Sequence, residues 1–278
     1  MVGALVFAVV GAGFCAVALH VPRSVAPAPP NTETVEIAAR DNAKLSAWWL
    51  RPVKQNGNCV IVLHGIGASR VGSVRFSPMF LEKGYTVLVP DSRAHGASGG
   101  EFVTYGLLER HDAISWAHWM KAEGCGKIYG LGESLGASIL IQAAAVEPSF
   151  AAIVAECPFA DLRQTAEYRV RRMLRLPAFI GSPLAKLVVS CGALYANLSD
   201  GLDFRRVSPV NSIKHSSTPI LLIHGLNDSR TPPSNSQMLA AANPSDPLWL
   251  VPGAEHTRAS SAEPHEFRRR VLGWFEAH

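Results

Sequence analysis

Short runs of consecutive apolar residues recur along the chain, separated by longer stretches with helical periodicity. An unbroken apolar run is typical of a strand buried on both faces of a sheet. Such runs cover residues 59–65, 85–91, 127–133, 151–157, 219–225 and 248–254. Two further runs, 35–40 and 44–51, flank the turn sequence RDN and predict an opening antiparallel pair.

Helical patterns fall between the predicted strands. They cover residues 74–83, 106–121, 135–147, 234–242 and 264–276. Strands that alternate with helices predict parallel pairing, with helices on both faces of the sheet. The expected fold is therefore α/β, with a mostly parallel eight-stranded sheet.

One connection is much longer than the others. About 60 residues separate the run that ends at Cys157 from the run that begins at Pro219, and most crossovers need far fewer. The segment contains arginine-rich and apolar stretches, among them LPAFIGSPLAKLVVSCGALYANL. We expect it to form a small helical cap over residues 160–216.

The first residues form a separate apolar segment. Val2 to Leu19 contains no charged or strongly polar side chain, and a run of this length is at the lower limit for a membrane-spanning helix. A signal peptide cleaved after Ala18 is an alternative, but no Lys or Arg precedes the run. A buried helix is a third possibility. We expect residues 1–20 to be a single-pass transmembrane anchor, with a secreted or periplasmic protein after signal cleavage as the alternative.

The rest of the chain is long enough for one large domain. Residues 21–32 are rich in Pro and Ala and predict a semi-extended linker. We assign residues 33–278 to a single domain that includes the cap insertion. Which side of the membrane this domain faces is left open, because one basic residue beside the span is too little for an orientation rule.

Composition changes this picture only slightly. The chain has 278 residues, 48% of them hydrophobic and 17% charged, and a net charge of +4, which is typical of a globular protein. No aromatic side chains interleave with the arginine clusters, so we expect no nucleic-acid partner. The five cysteines form no C-x-x-C motif, and Cys59, Cys125 and Cys157 are interpreted as buried thiols rather than disulfide partners or metal ligands.

The glycine-rich stretch YGLGESLGAS carries the clearest chemical signal. The dinucleotide pattern G-x-G-x-x-G would need glycine where Leu135 stands, and a Walker loop would need lysine after Gly136. The pattern G-x-S-x-G fits at residues 132–136, between a predicted strand and a predicted helix. This is the arrangement of a nucleophile elbow, and it makes Ser134 the candidate nucleophile.

A serine hydroxyl needs a general base to become an effective nucleophile. His256 lies in the loop after the last predicted strand and is the candidate base. His64 and His224 stand in HG pairs at strand ends, and His95 lies in a glycine-rich loop. These three are interpreted as structural residues that hydrogen-bond to nearby loops.

The base in turn needs an acid that orients it. Asp228 follows the seventh predicted strand, and the order Ser134, Asp228, His256 is the serine–acid–histidine order of α/β-hydrolases. Glu156 and Asp161, after the sixth strand, are the competing candidates.

Two backbone N–H groups are candidates for the oxyanion hole. Leu135 follows the nucleophile at the start of a helix, where N–H groups have no partner within the helix. The second donor is expected from the loop HGIGAS after the third strand, where Gly65 and Gly67 allow a close backbone approach and place the Ile66 N–H toward the substrate.

The motifs HGIG, PDSRAHGASGG, GESLG, HGLNDSRTP and GAEH together resemble the α/β-hydrolase superfamily over nearly all of Val35 to His278. They are most similar to bacterial serine hydrolases near the serine-aminopeptidase and acyl-thioesterase branches. One departure is Ala94, where that group more often has glycine. The resemblance implies that Ser134 is the nucleophile, His256 the base and Asp228 the acid.

These features predict a serine hydrolase that cleaves carboxylic ester or thioester bonds through an acyl-enzyme. Two alternatives stay open: an aminopeptidase or amidase on the same fold, and a catalytically silent, membrane-tethered binding protein. The expected partners are a small-molecule acyl substrate and a membrane, with no metal or organic cofactor and an oligomeric state that the sequence leaves undetermined. Acyl chain length and leaving group are also undetermined.

Overall fold

The computed structural model describes residues 2–278. It confirms the predicted α/β fold with one mostly parallel sheet of eight strands, in the order β1-β2-β4-β3-β5-β6-β7-β8. The second strand pairs antiparallel with the first and the fourth, and the other pairs are parallel. The strands are β1 Glu33–Ala38, β2 Lys44–Leu50, β3 Cys59–Leu63, β4 Thr86–Pro90, β5 Ile128–Glu133, β6 Ala152–Glu156, β7 Ile220–Gly225 and β8 Leu248–Val251.

The unbroken apolar runs are explained by burial on both faces of the sheet. Every residue of β3, β4, β5, β6 and β7 is buried. Because successive side chains of a strand point to opposite faces, Val60 and Val62 belong to one apolar cluster, and Ile61 and Leu63 belong to the other. The central strands therefore need no polar face.

Helices cover both apolar clusters. The helices α4 and α5 pack on one face, and α3 and α11 pack on the other. The predicted helix over residues 74–83 is a 3₁₀ turn at Val74–Phe76 followed by α3, and the short helix α2 comes before it. The helices are α1 Val2–Leu19, α2 Arg70–Ser73, α3 Ser77–Leu81, α4 Glu109–Ala122, α5 Leu135–Val146, α6 Leu162–Leu174, α7 Ala178–Asp200, α8 Pro209–Ile213, α9 Ser234–Ala242, α10 Ala259–Ala262 and α11 Pro264–Ala277.

The long connection between β6 and β7 contains α6, α7 and α8, together with a 3₁₀ turn at Phe204–Arg206. Among the described residues, α7 is the helix that is long and apolar enough to cross a membrane, with a mean hydropathy of 1.4. Core helices of soluble proteins can pass the same test, but only 28% of the apolar window of α7 is buried.

The N-terminal helix α1 lies along α7. The two helices approach closely at Gly11 and Gly192, since a Cβ atom on Gly11 would lie 2.6 Å from Cys191 Cβ, and one on Gly192 would lie 2.8 Å from the Gly11 oxygen. Small residues of this kind let two helix backbones touch. The predicted anchor begins at Met1, which lies outside the described residues, and its membrane-spanning role stays a prediction. The observed helix is packed against the cap.

The sequence-based interpretation of the cysteines is wrong at two positions. Cys59 and Cys125 form a disulfide, with their Cα atoms 5.7 Å apart. Cys59 opens β3 and Cys125 lies just before β5, and these strands are neighbours that run parallel. Their amino ends therefore meet at one edge of the sheet, although 66 residues separate the two cysteines in sequence. Cys157 is a buried free thiol, as expected.

Candidate active site

Ser134 lies in a sharp turn between β5 and α5. Its backbone has φ 52° and ψ −109°, a conformation that non-glycine residues rarely adopt. The flanking glycines make the turn possible, because a Cβ on Gly132 would lie 2.5 Å from the Ala137 nitrogen and one on Gly136 would lie 2.4 Å from the Leu63 oxygen. The local sequence thus lifts one hydroxyl above the carboxyl end of the sheet.

The structure brings Ser134, His256 and Asp228 together. The Nε2 atom of His256 lies 2.9 Å from the Oγ atom of Ser134, and its Nδ1 atom lies 2.6 Å from Oδ2 of Asp228. Asp228 follows β7 and His256 follows β8, so all three side chains come from the carboxyl ends of parallel strands. Ligand sites of open α/β sheets lie at this edge.

Asp228 is buried and held in its charged form. One carboxylate oxygen accepts hydrogen bonds from the backbone N–H groups of Arg230 and Thr231, each at 2.9 Å. Burial alone would raise the pKa of Asp228, but hydrogen bonds from His224 and His256 outweigh it and hold that pKa well below its ordinary value. A carboxylate that stays ionised can orient His256 and stabilise its protonated form.

His224 supports the loop that carries Asp228. Its Nδ1 atom lies 2.6 Å from the Ser236 hydroxyl, and its Nε2 atom lies 2.7 Å from the Thr231 carbonyl and 3.2 Å from Asp228. The sequence indicated a structural role for this histidine but not its contact with the acid. Its position four residues before Asp228 was the signal that could have shown it.

His64 and His95, the other two histidines interpreted as structural, also hydrogen-bond to backbone atoms. His64 lies with Nδ1 2.8 Å from the Gly65 oxygen and accepts the Ser92 N–H at Nε2. His95 accepts the Gly67 N–H at 3.1 Å. Both contacts shape the loop after β3, next to Ser134.

The two competing acids have other roles in the structure. Asp161 accepts the Gln164 N–H and caps the start of α6. Glu156 is fully buried and accepts the Ala259 N–H at 2.9 Å. Burial, with the neighbouring Glu133 carboxylate, raises the pKa of Glu156 to about 8, which leaves it mostly neutral at neutral pH.

The two predicted oxyanion donors lie beside the serine. Leu135 is the first residue of α5, and Ile66 lies in the loop after β3. That loop is close to the serine, because a Cβ atom on Gly65 would lie 3.3 Å from Ser134 Cβ. Ile66, Ser134 and Leu135 line the same cavity. The donor roles stay predictions.

A cavity of about 620 Å³ opens onto Ser134. Its walls come from the N-terminal helix, the cap and the loops above the sheet, and they are mainly apolar. The apolar residues of α1 that line it are Phe14, Cys15, Val17, Ala18 and Leu19, and those of the cap include Leu162, Ala166, Met173, Val189 and Leu194. The helix α1 is therefore a wall of the cavity as well as a candidate membrane segment.

Three side chains near the serine could approach a metal ion. The ligand atoms of Cys157, Asp228 and His256 lie within 4.8 Å of one another. Burial raises the pKa of the Cys157 thiol well above its ordinary value, so the thiol is protonated and a poor ligand. Asp228 and His256 are hydrogen-bonded to each other, which favours a proton-transfer role for this pair over metal binding.

The comparison with known proteins decides the family. A model described as the alpha/beta hydrolase family matches residues 60–270. The chain belongs to the alpha/beta hydrolase family. The stretch GESLG of this chain, between β5 and α5, has the G-x-S-x-G pattern of the strand-to-helix elbow of α/β-hydrolases.

Several relatives are similar in sequence or structure. The uncharacterized protein YqkD of Bacillus subtilis is 30% identical over 77% of this chain and 70% of that protein. The lysophosphatidylserine lipase ABHD12 of Danio rerio is 27% identical over 68% of this chain and 48% of that protein, so the chain spans about half of that relative. The esterase Pf2001 of Pyrococcus furiosus is 27% identical, covers 93% of this chain and 99% of its own, and has a TM-score of 0.74.

Proposed function

We propose that this hydrolase cleaves carboxylic ester or thioester bonds through an acyl-enzyme on Ser134. The observation that carries the proposal is the continuous hydrogen-bonded relay from Ser134 Oγ through His256 to Asp228, with distances of 2.9 and 2.6 Å. The relay begins at a serine held in a strained turn, below an apolar cavity. Nucleophile, base and orienting acid in hydrogen-bond contact are the requirement for covalent acyl transfer.

In the acylation step, Ser134 attacks the carbonyl carbon of the substrate while His256 removes the hydroxyl proton. The N–H groups of Ile66 and Leu135 bind the oxyanion that forms. His256 then donates its proton to the leaving alcohol or thiol, and the carbonyl re-forms as the acyl-enzyme. Asp228 keeps the imidazole tautomer correct and stabilises the imidazolium.

In the deacylation step, water takes the place of the leaving group. His256 removes a proton from this water, which attacks the acyl carbon, and the same backbone N–H groups bind the second oxyanion. Collapse of this intermediate returns the proton to Ser134 and releases the carboxylic acid. Each proton passes through His256, so no metal or organic cofactor takes part in the proposed cycle.

An apolar acyl group fits the cavity best. Its walls from α1 and α7 are apolar, and burial of one methylene contributes about 0.8 kcal/mol of binding free energy. The relatives include the esterase Pf2001 and a lysophosphatidylserine lipase, which gives an acyl ester further support. We therefore expect medium or long acyl chains to be preferred over acetate.

Membrane association through the N-terminal segment is part of the same proposal. The apolar helix α1 packs along α7, and large apolar side chains at the junction of α6 and α7 are exposed, with Met173 72% and Phe179 80% accessible. Arg172 and Arg175 lie in the same junction. Exposed apolar residues beside arginines are typical of segments that insert into the headgroup region of anionic membranes.

The ester activity is tested with p-nitrophenyl esters from acetate to palmitate on the full chain in neutral detergent. Wild-type protein is expected to release p-nitrophenol, with the highest kcat/KM at a medium or long chain. Ser134→Ala is expected to lose at least about 10³-fold in kcat, with circular dichroism unchanged. Retained activity in Ser134→Ala would overturn the assignment of the nucleophile.

A further inference from the structure

The cavity above Ser134 carries an excess of positive charge. Four charged side chains line it: Arg163, Arg169, Asp203 and Arg205. Arg205 pairs with Asp203 at 2.8 Å, and Arg163 pairs with Glu167 at 3.0 Å. Arg169 forms no salt bridge and donates no side-chain hydrogen bond within the described part of the chain. It is therefore a cation that faces the cavity without a counter-charge.

The position of Arg169 directs this charge toward the cavity. Thr165, Arg169 and Met173 follow one another at intervals of four residues on α6, and all three line the cavity. Residues at this spacing lie on one face of a helix. Arg169 is half-buried, which reduces the screening of its charge by water.

The effect of this charge reaches a cavity-lining phenol. Tyr105 lines the same cavity, and its hydroxyl donates a hydrogen bond to the Ala18 carbonyl of α1. Burial raises the pKa of Tyr105 to about 12, and the positive charge of Arg169 acts in the opposite direction. Arg169 thus favours negative charge in the space between α1 and α6.

We propose that Arg169 binds an anionic group on the alcohol portion of the substrate. The preferred substrate would then be an ester with an apolar acyl chain and a carboxylate or phosphate on its head group. The acyl chain would contact the apolar walls formed by α1 and α7, and the anionic head group would bind beside the half-buried Arg169. A guanidinium group binds either anion through two parallel N–H donors. This inference rests on the proposed ester hydrolysis at Ser134.

The test compares esters that share one acyl chain and differ in the charge of the alcohol. The full chain, in micelles of a neutral detergent, is given lauroyl esters of glycerol, glycerol 3-phosphate and glyceric acid. Wild-type protein is expected to prefer at least one anionic ester over the neutral one by about tenfold in kcat/KM, which is the size of effect expected for a hydrogen bond to a charged group. The phosphate and carboxylate substrates separate the two possible head groups.

Variants of one helix show whether Arg169 causes the preference. Arg169→Gln is expected to bring the ratio of anionic to neutral kcat/KM close to one, and Arg169→Lys is expected to retain part of it. Arg171→Gln is the matched control, because Arg171 lies on the same helix, is half-buried like Arg169, and is absent from the lining of this cavity. It is expected to keep the wild-type ratio.

Four results would overturn the inference, and the last of them also overturns the proposed ester hydrolysis. A wild-type ratio of anionic to neutral kcat/KM of one or less would disprove the role of Arg169, and so would an Arg169→Gln ratio equal to that of wild type. Both results would leave the proposed ester hydrolysis intact. A fall in the ratio of anionic to neutral kcat/KM for Arg171→Gln equal to that of Arg169→Gln would show a general charge effect rather than a role of Arg169. No hydrolysis of any of the three esters by folded wild-type protein would instead overturn the proposed function, and this inference with it.

Discussion

At the scale of single residues, the acid of the relay shows how environment decides a role. Asp228, Asp161 and Glu156 all lie at or just after the carboxyl ends of parallel strands, Glu156 as the last residue of β6. Asp228 accepts two backbone N–H bonds and contacts two histidines, whereas Glu156 is buried with a raised pKa and Asp161 caps a helix. Of these three carboxyl groups, Asp228 is the one that combines a stable negative charge with contact to His256.

Asp228→Asn is expected to lower kcat for ester hydrolysis by about 10³- to 10⁴-fold. Asparagine cannot stabilise the imidazolium, and its amide can hold the imidazole in the wrong tautomer. The measurement is kcat with a p-nitrophenyl ester at neutral pH. Asp161→Asn is the matched control and should keep kcat within about twofold, since its carboxylate lies outside the relay. A small loss in Asp228→Asn, or an equal loss in both variants, would contradict the assignment.

The pairing of serine, histidine and aspartate was predictable from sequence because each lies next to a strand end. Strand ends could be read from apolar runs, and parallel strands bring their carboxyl ends to one edge of the sheet. The Cys59–Cys125 bond was not predictable in the same way. The bond forms because β3 and β5 are neighbours in the sheet, although β4 lies between them in the sequence. No local sequence pattern shows which strands become neighbours.

Ala94 shows a second limit of reading motifs. Related hydrolases more often carry glycine at this position, and the structure has φ 58° here, in the left-handed region that favours glycine. The chain keeps the backbone conformation of the motif with an alanine in it. A strained conformation of this kind costs on the order of 1 kcal/mol and persists because the surrounding loop holds it.

At the scale of elements, the N-terminal helix is part of the cavity. α1 packs on α7 through Gly11 and contributes five lining residues to the wall above Ser134. The sequence identified the apolar segment but not this contact, because the cap and the N-terminus meet only in three dimensions. Removal of α1 would open the cavity on this side.

Gly11→Leu is expected to separate α1 from α7, because a Cβ atom there already meets Cys191 and Gly192 at less than 3 Å. The ratio of kcat/KM for a long-chain ester to that for acetate should fall by about three- to tenfold, as the apolar wall is displaced. Gly13→Leu makes the same change on the same helix, where no atom lies within 4 Å of the added Cβ. It should leave the ratio unchanged, and equal ratios in the two variants would contradict the role of α1.

The junction of α6 and α7 makes a separate prediction about membrane contact. The fluorescence of the tryptophan introduced by Phe179→Trp should be quenched by brominated lipids in vesicles that contain anionic lipid. The reason is that the Phe179 side chain is 80% exposed and lies beside arginines. Quenching is measured as the change relative to wild-type protein, whose six tryptophans supply the background.

Val53→Trp is the control for this measurement. Val53 is exposed as well, but it lies between β2 and β3, at the edge of the sheet opposite the cap. Its tryptophan should show no additional quenching. Equal quenching of both variants, or none in Phe179→Trp, would rule out insertion of the junction.

At the scale of the whole molecule, the disulfide joins two strands in the centre of the sheet. Cys59 and Cys125 enclose the segment that contains β4 and α4. A cross-link of this span restricts the unfolded chain and typically stabilises a protein by about 2–4 kcal/mol. Disulfides form and persist in oxidising compartments.

Cys125→Ser is therefore expected to lower the free energy of unfolding by about 2–4 kcal/mol, measured by denaturant titration without reductant. Cys191→Ser, at a partly exposed free cysteine of α7, should change it by less than about 1 kcal/mol. An unchanged stability in Cys125→Ser, together with five rather than three thiols that react with an alkylating reagent in the unfolded wild-type protein, would contradict the bond.

The division of the chain into an N-terminal segment, a linker and one domain with a cap remains a prediction at this scale. The eight strands and their parallel pairing followed from apolar runs and their alternation with helices. The length of the β6–β7 connection indicated an insertion, but not that its longest helix would pair with the N-terminus. Local patterns specify elements, whereas contacts between distant elements depend on the assembled core.

The most direct test of the account is covalent labelling of Ser134. Full-length protein is incubated with a fluorophosphonate, digested, and analysed by mass spectrometry, with His256→Ala in parallel. The account predicts one stoichiometric adduct on Ser134 in wild-type protein and a rate at least about 10²-fold lower without His256, because the relay activates the hydroxyl. Folded wild-type protein that is unlabelled, or labelled at another serine, would contradict the central claim.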